Sequence, residues 1–404
     1  MRTHSQERLP AALFFGAATG TSAVAVGLVL GWGAALCLAG IGLISVIAGI
    51  RGPDAAKLVA MSPYMLVIVA KLADDCIRFG LGFSPALGDL LPRRGDANVL
   101  TDRVWFAGAV VLPVAVMLLG GYLIGRGYPA GTFLAWWTPL FAVADGLWGL
   151  TLGPVLDWTH PAPAAVVLAS ALAEILIATW AAQALLRRGD PNLTWRATSA
   201  GLTSRQRNLW TVLFVALVVV YGSSVFQQAG LLPLGVIAGS MMGGLIGWRT
   251  TTARHPADPA YHVPLYLLLL ALFYLHVGEE ALTGFNRSIA SISGTSWSDG
   301  PFTLLIGLLG PAVWAFGAWS LWRRQPFGNF ILWFMIVGMI LGEPTHLVVF
   351  PVIAMQQTGA GYEYFSGMYT ALFPMVPAIL ALTQIVRVHR TRERGRPDQL
   401  IEST

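Results

Sequence analysis

The chain has 404 residues, of which 55% are hydrophobic and 11% charged, with a mean hydropathy of +0.65 and a formal net charge of +5. This composition excludes an ordinary soluble enzyme and a disordered chain, and it points to an all-α, polytopic helical membrane protein. The surplus positive charge is mostly arginine at the ends of apolar runs, so it forms no continuous basic face for a nucleic acid.

About 20 residues cross a hydrocarbon core, and on that measure about twelve transmembrane helices are expected. The first two, Ala11 to Gly31 and Gly33 to Ile50, carry no charge, whereas the third, Val59 to Leu81, carries Lys71, Asp74, Asp75 and Arg78. Val104 to Ile124, Gly131 to Leu156 with Asp145, and Ala162 to Leu186 with Glu174 follow. A loop bearing Arg187, Arg188, Arg196, Arg205 and Arg207 then leads into Trp210 to Phe226 and Leu231 to Trp248. The last four spans are Tyr261 to Gly284, Phe302 to Leu321, Asn329 to Val352 and Ser366 to Val386. The longest polar stretches, such as Ser84 to Arg103, are loop-sized and leave no room for a second, soluble domain. Arg249, Arg254, Arg323, Arg324 and the basic tail fall on the same side as the first arginine loop. The positive-inside rule therefore predicts a multi-pass protein of the cell membrane with both termini cytoplasmic.

Two polar clusters interrupt the later spans: His276-Val-Gly-Glu279-Glu280 and Glu343-Pro-Thr-His346. Charged groups near a bilayer centre cost on the order of 3 kcal/mol even on the mildest scale, so they mark sites. Spacings of three and four place each cluster on one helix face. The two helices run in the same direction, and at 1.5 Å per residue both clusters lie roughly 20–25 Å above the same membrane face. Pro344 is expected to bias Glu343 away from helical geometry.

The third span echoes this pattern. Lys71-Leu-Ala-Asp74-Asp75 matches His276-Val-Gly-Glu279-Glu280 at an offset of about 205 residues, and Asp145 matches Glu343 at about 198. The expectation is a tandem duplication of a six-helix unit: residues 11–188 with a degenerate polar site, 209–390 with the HxxEE site, and 391–404 as a cytoplasmic tail. Lys71, Asp74, Asp75 and Arg78 are expected to neutralise one another through ion pairs, with Glu174 joining.

Two His and three Glu in apolar surroundings carry excess negative charge, which a divalent metal relieves. Zinc holding a water and carboxylate-bridged di-iron both fit this inventory. On the hydrolytic reading His276, Glu279 and His346 are ligands, Glu343 is a ligand or outer-shell residue, and Glu280 is the general base. Tyr364 and Tyr369 are placed to line substrate access. The plain alternative is a metal-free network of buried groups that satisfy one another.

With the later His346 and Tyr364-Phe-Ser366-Gly367, the HxxEE string resembles a family of integral membrane proteins named for that motif, over residues of about 261–388. Ser366 stands where the family signature has proline. The resemblance implies a metal-dependent membrane enzyme and specifies no reaction. The expected function is thus a metalloenzyme acting on a membrane lipid or other hydrophobic substrate, by hydrolysis or by iron-dependent oxidation. The alternatives are a proton-coupled secondary transporter using the intramembrane Lys, Asp and Glu residues, and a non-catalytic accessory subunit.

Overall fold

A computed structural model of the chain describes residues 4–30, 32–51, 61–81, 103, 106–152, 161–186 and 201–394. Most of the polar stretch Ser84 to Arg103, residues Arg187, Arg188 and Arg196 of the arginine loop, and the tail beyond 394 lie outside the described residues. Every regular element among the described residues is helical. In chain order they are α1 (His4–Leu30), α2 (Trp32–Arg51), α3 (Met61–Gly80), α4 (Phe106–Gly125), α5 (Pro129–Leu152), α6 (Pro161–Leu186), α7 (Ser204–Ala229) and α8 (Leu231–Thr250). There follow α9 (Pro259–Thr283), α10 (Phe285–Ser293), α11 (Asp299–Trp322), α12 (Pro326–Val337), α13 (Val349–Thr358) and α14 (Met375–Arg394).

A helix lies over each of the expected spans, and among the described residues seven stretches are long and apolar enough to cross a membrane: α4, Ala165–Leu186 of α6, α7, α8, α9, α11, and Pro326–Thr358, which runs from α12 through α13. α3 falls short because four charges interrupt it. α14 starts at Met375, nine residues after the expected Ser366, and only its first three turns are apolar. Residues 359–374 form an irregular strap, and its second half, 366–374, was expected to begin that span.

Local chemistry sets several helix boundaries. Thr203 and Gln206 form a capping box at the start of α7, which satisfies two amides that would otherwise be orphaned. Asp258 caps α9 ahead of Pro259, whose missing N–H costs nothing at a first helical position. Gly284, at φ 79°, ends α9 in the left-handed conformation and allows α10 to leave at once.

The chain divides into two compact units, residues 1–195 with 303–316, and residues 196–302 with 317–404. In the first, α1 and α2 form a hairpin, α2 lies on α5, and α6 covers α3 and α5. Thr303–Leu309 of α11 is π-helical and packs on α3, with Phe106 pressed on Gly307. In the second, α7 and α8 form a hairpin, α8 lies on α12, and α14 covers α9 and α12.

Small residues permit these approaches, as expected where lipid supplies no hydrophobic drive between helices. A Cβ on Gly120 would meet Leu134 at 2.9 Å, and one on Gly317 would meet Ile331 at 2.7 Å. A Cβ on Gly131 would lie 2.6 Å from the Ile124 nitrogen, and one on Gly328 would lie 2.0 Å from the Leu321 nitrogen. Because that last neighbour is backbone, Gly328→Ala should destabilise by about 1–3 kcal/mol. Gly300→Ala, which meets open space, should stay within about 0.5 kcal/mol of the parent. Thermal unfolding in detergent reads both, and equal midpoints would show that the α11–α12 turn is not tightly packed.

Candidate metal centre

His276, Glu279 and Glu280 occupy the last two turns of α9. The chain that meets them from α12 changes its winding twice: Gly338–Gly342 is π-helical, Glu343–His346 is a 3-10 turn, and α13 then resumes. The wide turn followed by the tight one brings both Glu343 and His346 to the buried side. Glu343 itself keeps right-handed helical angles, φ −61° and ψ −37°. The expected bias away from helical geometry is therefore corrected: Pro344 breaks the hydrogen-bond ladder without expelling the residue before it.

The two clusters converge. His276 Nε2 lies 2.8 Å from Glu343 Oε2 and 3.7 Å from Glu280 Oε1, and His346 Nε2 lies 3.5 Å from the same Glu280 oxygen. The imidazole centroids are 4.8 Å apart at 83°. All four side chains are buried, His276 completely. Phe285 stacks on His346 at 4.8 Å, with Phe350 set edge-on to the same imidazole.

The other nitrogen of each ring is engaged by the strap. His346 Nδ1 is 2.9 Å from the Ser366 carbonyl oxygen, and His276 Nδ1 is 3.0 Å from Thr370 Oγ1. A carbonyl only accepts, so His346 Nδ1 must carry a proton. Thr370 Oγ1 donates its single proton to Glu279 Oε2, so it can only accept from His276 Nδ1–H. In neutral rings both Nε2 atoms are then lone pairs pointing at carboxylates. Acceptors facing acceptors in an apolar interior require a cation or a shared proton between them.

The distances suit a metal. Ligand atoms of His276, Glu280 and His346 lie mutually within 4.8 Å. A tetrahedral zinc ion with bonds near 2.0–2.1 Å separates its ligand atoms by about 3.3 Å, close to the 3.5 and 3.7 Å between Glu280 and the two imidazoles.

Glu279 is used differently from the ligand role expected of it. Its Oε1 accepts from Tyr364 Oη at 2.7 Å and from the Tyr369 amide at 3.1 Å, and its Oε2 accepts from the Thr370 amide at 2.9 Å and from the Thr370 hydroxyl. Four donors occupy the carboxylate, which leaves Glu280, expected to be the base, as the ligand-capable acid. Tyr364 and Tyr369 stack at 4.6 Å on the exposed side of the strap.

Sequence reasoning missed Thr370, the Ser366 carbonyl and Phe285, and noted Gly367 only within the string Tyr364-Phe-Ser366-Gly367. Gly367 sits at φ 86°, and a Cβ there would come within 2.6 Å of His346 Nδ1 and 2.9 Å of His276 Cε1. Its presence beside Tyr364 was the one available signal, since a lone threonine or a backbone carbonyl has no sequence signature.

In the first unit Lys71 pairs with Asp75 at 2.7 Å and Asp145 at 3.1 Å, and Arg78 pairs with Asp74 and, at 3.2 Å, with Asp145. Glu174 stands 3.8 Å from Arg78. The expected ion pairs form, but four carboxylates exceed two cations, so the set does not neutralise itself.

No protein-family model, curated protein or solved structure matches this chain.

Thr370→Val removes the acceptor for His276 and one donor to Glu279 while keeping the side chain's shape. Loss of such an outer-shell partner typically lowers metal affinity about 10–100-fold. Competition for Zn²⁺ against a chromophoric chelator should show that loss, with Tyr369→Phe unchanged, and equal affinities in all three proteins would contradict the relay.

Proposed function

We propose that this chain is a membrane-embedded, metal-dependent hydrolase with a mononuclear centre held by His276, Glu280 and His346, acting on a lipid or other hydrophobic substrate. The observation that carries the reading is the pair of Nε2 lone pairs converging with Glu280 at near-tetrahedral separations, each ring held by an Nδ1–H bond to the strap. Two His and one Glu form a ligand set that leaves a position open for water or substrate. A bound zinc ion would supply Lewis acidity and make water a stronger acid.

The chain's own groups do the rest. Glu343, not Glu280, is the free carboxylate beside the ligands, 2.8 Å from His276 Nε2, and it takes up the proton of the attacking water and returns it to the leaving group. Glu279 holds His276 in place through Thr370. Gly367, Phe285 and Phe350 close the apolar side of the site and keep bulk water from the histidines. Leu275, Leu282, Leu341, Val348 and Tyr369 remain exposed, an apolar surround suited to a substrate arriving from the bilayer. The di-iron alternative loses ground because Glu279, one of three carboxylates it would draw on, is already committed.

We also infer an internal duplication and kinship with the HxxEE family. Three residue pairs that pack in the first unit recur in the second about 198 residues later: Gly120 on Leu134 and Gly317 on Ile331, Gly131 on Ile124 and Gly328 on Leu321, and Arg78 on Asp145 and His276 on Glu343. The π-helical openings Phe106–Val111 and Thr303–Leu309 keep the same offset. On this register Arg78, not Lys71, is the counterpart of His276, so an ion pair in one copy stands where the other has imidazole and carboxylate.

Elemental analysis of the purified protein should find one zinc per chain, lost in His346→Ala and Glu280→Ala. Glu343→Gln should keep the metal while slowing hydrolysis of long-chain esters and amides in vesicles by about 10²–10⁴-fold. A parent protein that folds fully without metal, or a Glu343→Gln protein of parental rate, would overturn the reading.

A further inference from the structure

The polar patch of the first unit holds four carboxylates against two cations, and the imbalance has an address. Both oxygens of Asp75 engage Lys71, at 2.7 and 2.8 Å. Asp145 Oδ2 bridges Lys71 and Arg78 at 3.1 and 3.2 Å. Asp74 pairs with Arg78 and accepts from the Ser170 hydroxyl. Glu174 is what remains. It is 1% exposed, neither of its oxygens accepts a hydrogen bond, and Arg78 Nη2 is 3.8 Å away.

One Glu174 oxygen nevertheless lies within 4.8 Å of oxygens on both Asp74 and Asp145. A metal ion does not suit that space, because the Arg78 guanidinium already stands among the same three carboxylates. An ionised Glu174 would add a charge to a group that is already net negative without it, inside a low-dielectric bundle where an unpaired ion is costly.

We propose that Glu174 is the seat of an exchangeable proton in the first unit, carried as a neutral carboxylic acid whose O–H turns toward Asp74 or Asp145. The charged groups facing it among the described residues come from both packed neighbours: Lys71, Asp74, Asp75 and Arg78 from α3, and Asp145 from α5. Asp145 has a side chain 20% exposed, against 1% and 6% for Asp74 and Asp75, and it is the entry point. A proton taken up there passes to Glu174, leaving Asp145 ionised between its two cations. The ligand is therefore a proton, and the patch is a loading site that a proton-coupled conformational step can use.

Infrared difference spectroscopy on the full chain tests this. At neutral pH the parent should show a protonated-carboxyl C=O band that Glu174→Gln removes. Because the native state then binds a proton that the unfolded chain releases above the ordinary carboxyl range, parental stability should fall as pH rises, and Glu174→Gln should abolish that fall, matching the parent at acid pH and exceeding its stability at neutral pH. An unchanged band in Glu174→Gln overturns the proposal. So does a Gln variant that fails to fold or is as unstable as Glu174→Ala, and so does stoichiometric Na⁺ or Ca²⁺ binding lost in Glu174→Gln.

Discussion

Glu279 gathers four donors from a seven-residue piece of the strap, Tyr364 to Thr370, and the rest of the second unit's polar site depends on that anchorage. Through Thr370 it fixes the tautomer of His276. By holding the strap down it also brings the Ser366 carbonyl to His346 and seats Gly367 against both rings. A carboxylate at the end of a membrane-spanning helix is expensive to bury alone. Here its charge is distributed over two backbone amides and two hydroxyls, and hydrogen bonds to a charged acceptor are roughly twice as strong as neutral ones.

The consequence is a division of labour among three acids that look interchangeable in the sequence. Glu279 and Glu280 are consecutive, about 100° apart around the helix axis. That angle sends one to the strap and the other to the imidazoles. Glu343 arrives from a different segment and meets His276 directly. The proximity of the two histidine motifs was legible in the sequence from matched depth and helical spacing. The different placements of Glu279 and Glu280 were not, because they depend on where residues 359–374 lie, and a stretch with apolar composition reads as the start of a helix.

The break in α12 shows the same limit in another form. Pro344 announces a disturbed ladder, but its resolution into a π-helical turn followed by a 3-10 turn follows from the packing of Gly338 and Gly342 beside Ser240 and Val236 on α8. The proposed duplication was first suggested by matching spans in the sequence. Its proposed register differs from the one that motif spacing suggested: that spacing placed Lys71 opposite His276, while packed glycines and cross-helix pairs support an offset about seven residues shorter. On the proposed register the two units differ in kind: one pairs fixed charges and keeps a surplus of acid, and the other sets imidazoles against carboxylates.

The central claim is that both Nε2 atoms ligate one metal with Glu280. X-ray absorption spectroscopy at the zinc edge on the purified, metal-replete chain tests it most directly. The account predicts a four-coordinate nitrogen and oxygen shell at about 2.0–2.1 Å, with the outer-shell scattering of two imidazoles. An all-oxygen shell, a sulfur shell, or a single imidazole would contradict it.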